Sequence, residues 1–523
     1  MLEISAIKDK DTLKAVAELL MKENERLNKR IEALEKELAG LSQQPQSQIA
    51  QQELDYVKDL LRQREQELFG ASSERRKDSA PSPPADEVAT EPKPKRKGHG
   101  STPQPKLRQV EVSHELPEEQ QCKACGGHLS EMGEASVDSE EIDIVAKEFV
   151  LLVHRRQKYS CACGETVEVA PGPLKLIPGG RYSLAFTIDV GVGKYLDHMP
   201  LARQVRAFAR HGLAITTQAL CDQMDALATA LYPTFLAIHA AILKAPVIGA
   251  DETRWLIMAN GKAEVNRKFY VWGITDGRYA AYRILPGRSM ADAKKLLGQY
   301  AGIVMTDGYD VYEALARSAK MMKLDGSGGL GLTVVHCWMH VRRKYIEAES
   351  AFGEQSRIAL GFIRELYAIE REASQAPPEE RLSTLAKLRN ERSRPVVEQL
   401  FAWAAAQRVL PKSSLGKAIG YMLGLKKGLT AFLDDPRIPL DNGAQERALR
   451  GLVVGRKNYH GSKSLRGTEV AAVMYTIFES AKLCGVDPVA YVTAAVQHAL
   501  DKAGNTLLPE EFKARLSKTT VSE

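Results

Sequence analysis

Val247-Ile248-Gly249-Ala250-Asp251-Glu252-Thr253 is the stretch on which the fold of this chain turns. Its first half has the composition of a buried strand, with β-branched residues beside a glycine. Its second half opens on a carboxylate. Ile303-Val304-Met305-Thr306-Asp307-Gly308-Tyr309 repeats the plan. A carboxylate ending a buried strand is costly unless it binds something positive. Two of them side by side, joined by a third, can hold a pair of divalent cations, an arrangement suited to in-line displacement at phosphate. The third candidate is Glu446, in Asp441-Asn442-Gly443-Ala444-Gln445-Glu446-Arg447-Ala448-Leu449-Arg450.

Outward from these runs, residues 245–336 read as a mixed α/β block. Strands are expected over 247–250, 268–274, 279–285, 303–306 and 332–336, with a helix over 290–297 between the third and fourth. Three strands, a helix, a strand, a helix and a strand is an order similar to that of ribonuclease-H-like domains. There the first and fourth strands are neighbours, which would bring Asp251 beside Asp307. The Gly-rich stretch 325–331 lacks the Gly-Lys-Ser/Thr ending of a phosphate loop and reads as a hairpin loop. Residues 340–436 look purely helical. Ile358, Phe362, Leu366 and Ile369 keep helical spacing, as do Leu382, Leu385 and Leu388, with a turn at Pro377-Pro378. This block lies between the second and third acidic residues.

A chain of 523 residues is too long for one core and implies several domains. Its hydrophobic content of 44% is that of an ordinary soluble protein. A net charge of +6 and a pI of about 8.7 are too mild to identify a nucleic-acid binder by themselves. Seven clustered cysteines and a charged N-terminus without an apolar segment point to the reducing cytoplasm. The apolar stretch 226–243 contains Thr229, Pro233, Thr234 and His239, and reads as a buried pair of Ala-rich helices rather than a membrane span.

Leu13, Leu20, Leu27 and Leu34 recur every seven residues, with Ala17, Asn24, Ile31 and Leu38 four residues after them. That is a short leucine zipper whose interior Asn24 would fix register in a parallel dimer, with Arg30 and Glu35 placed to pair across chains. The alternative is an amphipathic helix packed within its own chain. A second helix is expected over 53–68. Residues 75–112 are rich in Pro, Lys, Ser and Glu and read as a disordered basic linker. Next come Cys122-x-x-Cys125-Gly126-Gly127 and Cys161-x-Cys163-Gly164, flanking a strand-like stretch over 141–159. Cys pairs followed by Gly form turns that converge on zinc, so one structural Zn²⁺ is expected. The second pair is one residue short, and His128 or His154 offers a substitute ligand.

Residues 200–211 look like one helix carrying Arg203, Arg206 and Arg210. Gly212 breaks it, and a Thr-capped helix follows from Ile215-Thr216-Thr217. This is a helix-turn-helix outline, with a plain helical hairpin as its rival. Two further basic clusters are candidates for DNA contact. One is Arg342, Arg343 and Lys344, beside Cys337-x-x-His340; that pair supplies only two ligands and reads as structural. The other is a loop holding Arg456, Lys457, Lys463 and Arg466.

The residues taken in order resemble a family. The large transposases of insertion sequence 66-type bacterial elements, a branch of the DDE transposases, are similar along nearly the whole chain. The strings that carry the resemblance are Leu68-Phe69-Gly70-Ala71-Ser72-Ser73-Glu74, the Cys pairs, Lys194-Tyr195-Leu196-Asp197-His198-Met199-Pro200-Leu201, Ala250-Asp251-Glu252-Thr253, Thr306-Asp307-Gly308-Tyr309, Cys337-Trp338-Met339-His340-Val341-Arg342-Arg343-Lys344, the run around Glu446, and Gly455-Arg456-Lys457-Asn458. Gly443 stands where the family often has Asn. The family's catalytic triad falls on Asp251, Asp307 and Glu446.

The resemblance implies a reaction that cuts at the terminal inverted repeats of the protein's own element and joins the 3′-hydroxyl ends to target DNA. Two Mg²⁺ (or Mn²⁺) ions would serve it. The implied partners are double-stranded DNA, a second copy of the chain and possible accessory proteins of the element, with no membrane. The implied location is the bacterial cytoplasm, at the nucleoid. The expected organisation is a coiled coil over 1–74, the linker over 75–112 and a zinc module over 113–180. A helical DNA-binding region over 181–244 follows, then a ribonuclease-H-like core over 245–344 and 437–523, split by an all-α insertion over 345–436. Two other readings fit parts of the pattern: a catalytically inactive DNA-binding regulator, and a nuclease that cuts without joining. Tyr309 reads as a packing or DNA contact rather than a nucleophile.

Overall fold

The computed structural model describes residues 10–40, 51, 53–62, 147–160, 167–258, 267–324 and 331–519. The four zinc-candidate cysteines, the linker and His128 lie outside them. Two compact units divide the chain, Met1–Gly70 with Phe149–Glu523 and, separately, Ala71–Glu148. Everything described below belongs to the first.

Helix α1 is Lys10–Gly40, and α2 covers residues 53–62. Leu27 and Leu34 of α1 are buried against Leu54 and Val57 of α2, with Ile31, Tyr56, Leu60 and Leu61 around them. Arg30 pairs with Glu53 and Glu35 with Lys58, each at 2.6 Å. Both pairs span 23 residues, so α2 runs alongside α1 in the same direction. At these positions the contacts follow the alternative of a helix packed within its own chain. Leu27 and Leu34 are covered, and Arg30 and Glu35 are paired, within one chain. Asp59 on α2 is buried and accepts hydrogen bonds from the amide and hydroxyl of Ser414, at 2.6 and 2.7 Å.

A short antiparallel ribbon, β1 (Lys158–Ser160) with β2 (Val167–Val169), precedes three helices. These are α3 (Leu184–Tyr195), α4 (Leu201–Arg210) and α5 (Thr217–Ile242). A turn with Gly212 at φ +81° joins α4 to α5, a conformation that favours glycine. α5 is one continuous helix, not a pair, and carries Pro233 inside it. It is long and apolar enough to cross a membrane, but Leu220, Leu227, Leu231 and Ile238 are fully buried in the core. α4, the Gly212 turn and the Thr216-capped start of α5 follow the expected outline, while the length of α5 also carries it through the core.

The sheet holds β3 (Val247–Ile257), β4 (Arg267–Thr275), β5 (Ala280–Leu285), β6 (Ile303–Thr306) and β7 (Thr333–His336), in the order β5-β4-β3-β6-β7. β3–β4 and β4–β5 are antiparallel, whereas β3–β6 and β6–β7 are parallel. α6 (Met290–Leu297) and α7 (Asp310–Leu324) make the crossovers. The stretch 325–331 therefore follows a helix and leads to a parallel strand, so it does not join a hairpin. α14 (Gly443–Tyr459), α15 (Leu465–Leu483), α16 (Pro488–Asp501) and α17 (Pro509–Thr519) complete this layer. α15 seals the edge strand β5. Thr476 accepts from the Tyr282 amide at 3.0 Å, and Ser480 bonds both backbone groups of Ala280 at 3.1 and 3.0 Å. An edge so satisfied cannot template pairing with another chain.

A second core lies between β7 and α14. It comprises α8 (Trp338–Ala348), α9 (Gly353–Ala373), α10 (Arg381–Leu388), α11 (Arg394–Ala406), α12 (Ser414–Gly424) and α13 (Lys426–Thr430). Trp338, Tyr345, Leu366, Leu400, Met422 and Phe432 fill it. Arg389 is buried there, bound to both oxygens of Glu370 at 2.7 and 2.8 Å and to the carbonyls of Phe432 and Ile438. The Asp59–Ser414 contact seats α2 on the first turn of α12.

Candidate active site

β3 runs past Asp251, so this carboxylate stands within the strand rather than at its end. The last β3–β6 pair is Gly249 with Met305. Asp251 and Asp307 each lie two residues beyond that pair, so strand alternation puts both on the face of Gly249. Beyond that point β3 pairs only with β4, and the loop after β6 is free to turn. Asp307 Oδ1 accepts the amide of Tyr309 at 2.9 Å, Thr306 Oγ1 accepts that of Gly308 at 3.2 Å, and Gly308 sits at φ +94°. Tyr421 of α12 donates its hydroxyl to the Asp307 carbonyl.

α14 brings the third carboxylate onto the same face. Asn442, just before the helix, is buried and donates to the Ala250 carbonyl at 2.9 Å, the residue before Asp251. A Cβ at Gly249 would strike Asn442, and one at Gly273, the partner of Asp251 across β4, would strike Gln445. The two glycines thus let the start of α14 lie against the sheet. Glu446 falls in its first turn, near the positive end of the helix dipole.

The electrostatics follow from this convergence. The Asp251 carboxyl is pushed up to about 7, first by burial, then by the charges of Glu252, Asp307 and Glu446; the Glu252 amide, 2.7 Å from Asp251 Oδ1, pulls it back down. Burial also raises Glu252, on the opposite face of β3, while Arg288 opposes that shift. Tyr312 donates to Glu252 at 3.3 Å. Arg288 lies 3.9 Å over the ring of Tyr309, whose hydroxyl donates to the Arg288 carbonyl at 2.7 Å. Tyr309 is therefore a packing residue of this loop.

Glu446 meets further neighbours. His340 Nε2 lies 3.6 Å from its Oε1, and ligand atoms of Cys337, His340 and Glu446 all lie within 4.8 Å of one another. Two ligands three residues apart at the start of α8 become three only through α14, which no local pattern reveals. Burial pushes the Cys337 thiol up to about 12, against the pull of the Asn442, His340 and Met339 amides.

The basic candidates separate. Arg203, Arg206 and Arg210 lie on the exposed side of α4, opposite buried Leu201, Gln204 and Phe208. Arg456 and Lys457 are on the last turn of α14, not in a loop. Arg456 is half-buried and binds Thr253 Oγ1 at 2.9 Å and the Arg254 carbonyl, so it fastens β3. Arg466 is engaged by Asp225, Thr229 and Glu469. Arg343 and Lys344 both pair with Glu347, at 3.4 and 3.1 Å, while Arg342 is exposed beside them. Lys457 and Lys463 are exposed.

The comparisons with known proteins put this chain among the transposases. Residues 179–470 match the model of the Transposase IS66 family, and residues 119–164 match the zinc-finger binding domain of transposase IS66. The chain belongs to the Transposase IS66 family. Two relatives come from Sinorhizobium fredii (strain NBRC 101917 / NGR234). Uncharacterized protein y4jD is 30% identical over 417 residues, 76% of this chain and 79% of its own. Uncharacterized protein y4hP is 31% identical over 425 residues, covering 76% and 74%. No solved structure matches. The zinc-finger match spans Cys122, Cys125, Cys161 and Cys163 and supports a bound zinc ion.

Proposed function

We propose that this protein cuts DNA at the terminal inverted repeats of its own insertion sequence and joins the freed 3′-hydroxyls to target DNA, with Asp251, Asp307 and Glu446 as the catalytic carboxylates. The observation that carries the reading is the lifting of Asp251 to about 7 by burial and by the charges of Glu252, beside it in the strand, and of Asp307 and Glu446. Oxygen-only donors held together against their own repulsion fit hard divalent ions such as Mg²⁺ or Mn²⁺. When bound, two such ions would supply charge stabilisation for the attacking and leaving oxygens of an in-line displacement.

The chain's own groups do the positioning. Asn442 holds Glu446 against β3, the Asp307–Tyr309 turn and Tyr421 hold Asp307, and the Glu252 amide orients Asp251. The order of antiparallel and parallel strands supports a ribonuclease-H-like core. Arg203, Arg206, Arg210, Lys457 and Lys463 are the exposed cations best placed to meet phosphate. Cys122, Cys125, Cys161 and Cys163 are proposed as the ligands of one structural zinc. The protein works at the nucleoid as at least two copies, because two element ends must be joined.

The test is strand cleavage and strand transfer on a labelled terminal repeat in Mg²⁺, with a gel shift in parallel. Asp251→Asn, Asp307→Asn and Glu446→Gln each should lose about a hundredfold or more in both steps while keeping end binding. Near-normal joining by Glu446→Gln would remove that residue from the triad. Cleavage without any joined product in the unmodified chain would favour a nuclease, and binding without cleavage a regulator.

A further inference from the structure

Among the described residues, one trio of metal-ligating side chains has its ligand atoms all within 4.8 Å of one another, and it contains two donors that the phosphate chemistry does not use. Cys337 caps the start of α8, and His340 follows one turn later on the same helix. Glu446 faces them from the first turn of α14, with its Oε1 3.6 Å from His340 Nε2. Cys337 is 1% exposed, and its sulfur accepts the Asn442 amide at 3.1 Å, which fixes its orientation. The second imidazole nitrogen of His340, Nδ1, is buried without a hydrogen-bond partner. A buried polar atom left so is costly unless a ligand or a water reaches it.

We propose that Cys337, His340 and Glu446 form a binding site for a borderline-soft divalent ion, zinc above all, separate from the zinc finger and overlapping the carboxylate site at Glu446 alone. One thiolate, one imidazole nitrogen and one carboxylate oxygen are zinc donors, whereas thiolate and imidazole are poor ligands for Mg²⁺. Metal–ligand distances of about 2.0–2.3 Å in a tetrahedron put ligand atoms roughly 3.3–3.7 Å apart. The trio therefore closes by about an ångström of side-chain rotation, without backbone movement. Three protein ligands leave a fourth position for water or a phosphate oxygen. Binding exchanges the thiol proton for the metal, so one proton per ion passes to solvent.

The site shares Glu446 with the proposed carboxylate triad. An ion held here draws that carboxylate away from Asp251 and Asp307, so zinc should oppose the Mg²⁺-dependent reaction. That consequence rests on the reading of Glu446 given above; metal binding itself does not.

The experiment uses the full chain, stripped by chelator and titrated with Co²⁺ and with Zn²⁺. Two ions per chain are expected, one in the zinc finger and one here. Cys337→Ser and His340→Gln should each bind one ion. The cobalt bands of a one-sulfur site should vanish in both and persist in Cys161→Ser. Should Cys337→Ser fail to fold, His340→Gln, at a partly exposed position, decides the matter. The same number of ions and the same spectrum in His340→Gln as in the unmodified chain would overturn the proposal. Zinc bound at this site with no effect on Mg²⁺-dependent cleavage would keep the metal site and refute the catalytic role of Glu446.

Discussion

Asp251→Asn should make the metal-free protein more stable at pH 8, and by a smaller margin, roughly a third of it, at pH 5. The folded carboxyl titrates at about 7 against an ordinary value of 3.8. Between those values the folded chain keeps a proton that the unfolded chain has released. Stability therefore falls as pH rises through this window, and the full penalty is present above about 7, where both states are ionised. The gap, at 1.36 kcal/mol per pKa unit, corresponds to about 4 kcal/mol. Water reaching the open side of the site screens part of that repulsion, so about 1–2 kcal/mol is expected. Asparagine keeps the acceptor that meets the Glu252 amide and removes the charge. Thermal melts at pH 5 and pH 8, with chelator and with Mg²⁺, provide the assay. With chelator at pH 8 the variant should melt a few degrees higher. Mg²⁺ should stabilise the unmodified chain, through binding to the folded state alone, more than the variant. A variant that melts lower by the same amount at both pH values would show that Asp251 serves packing and does not feel its acidic neighbours.

Replacing Arg203, Arg206 and Arg210 by Ala should lower the slope of log affinity for DNA against log salt by up to about 2–3, since each phosphate contact contributes about 0.9. An unchanged slope would show that α4 does not meet DNA. Because α2 covers Leu27 and Leu34 within the chain, removing residues 1–40 should leave the oligomeric mass measured by light scattering at the same number of copies. A drop to fewer copies would mean that α1 pairs chains as a zipper.

The strand runs around Asp251 and Asp307 were legible because β-branched residues punctuated by glycine and aspartate report local conformation directly. Four of the five strand limits differ from expectation by no more than a residue, and α6 coincides at both ends. β3 alone runs on to Ile257, because its pairing with β4 continues after β6 has turned away. The exposed arginine face of α4 was legible for a similar reason, since buried Leu201, Gln204 and Phe208 leave the opposite side to the solvent.

Which surface covers an apolar stripe is a different kind of question. The heptad of α1 says that Leu27 and Leu34 will be buried, and it says nothing of whether a second chain or α2 will bury them. The same limit applies to charge. Arg456 and Arg466 look like any basic residues in a glycine-bounded stretch. Only the packing of α14 on β3 and of α15 on α5 commits them to Thr253 and Asp225. Cys337 and His340 are two ligands by sequence and three by structure, because Glu446 arrives from more than a hundred residues away. Local pattern thus determined the elements and the acidic candidates. The long-range docking of α14, α2 and the helical block decided which side chains meet, because contact partners depend on distances that local periodicity does not encode.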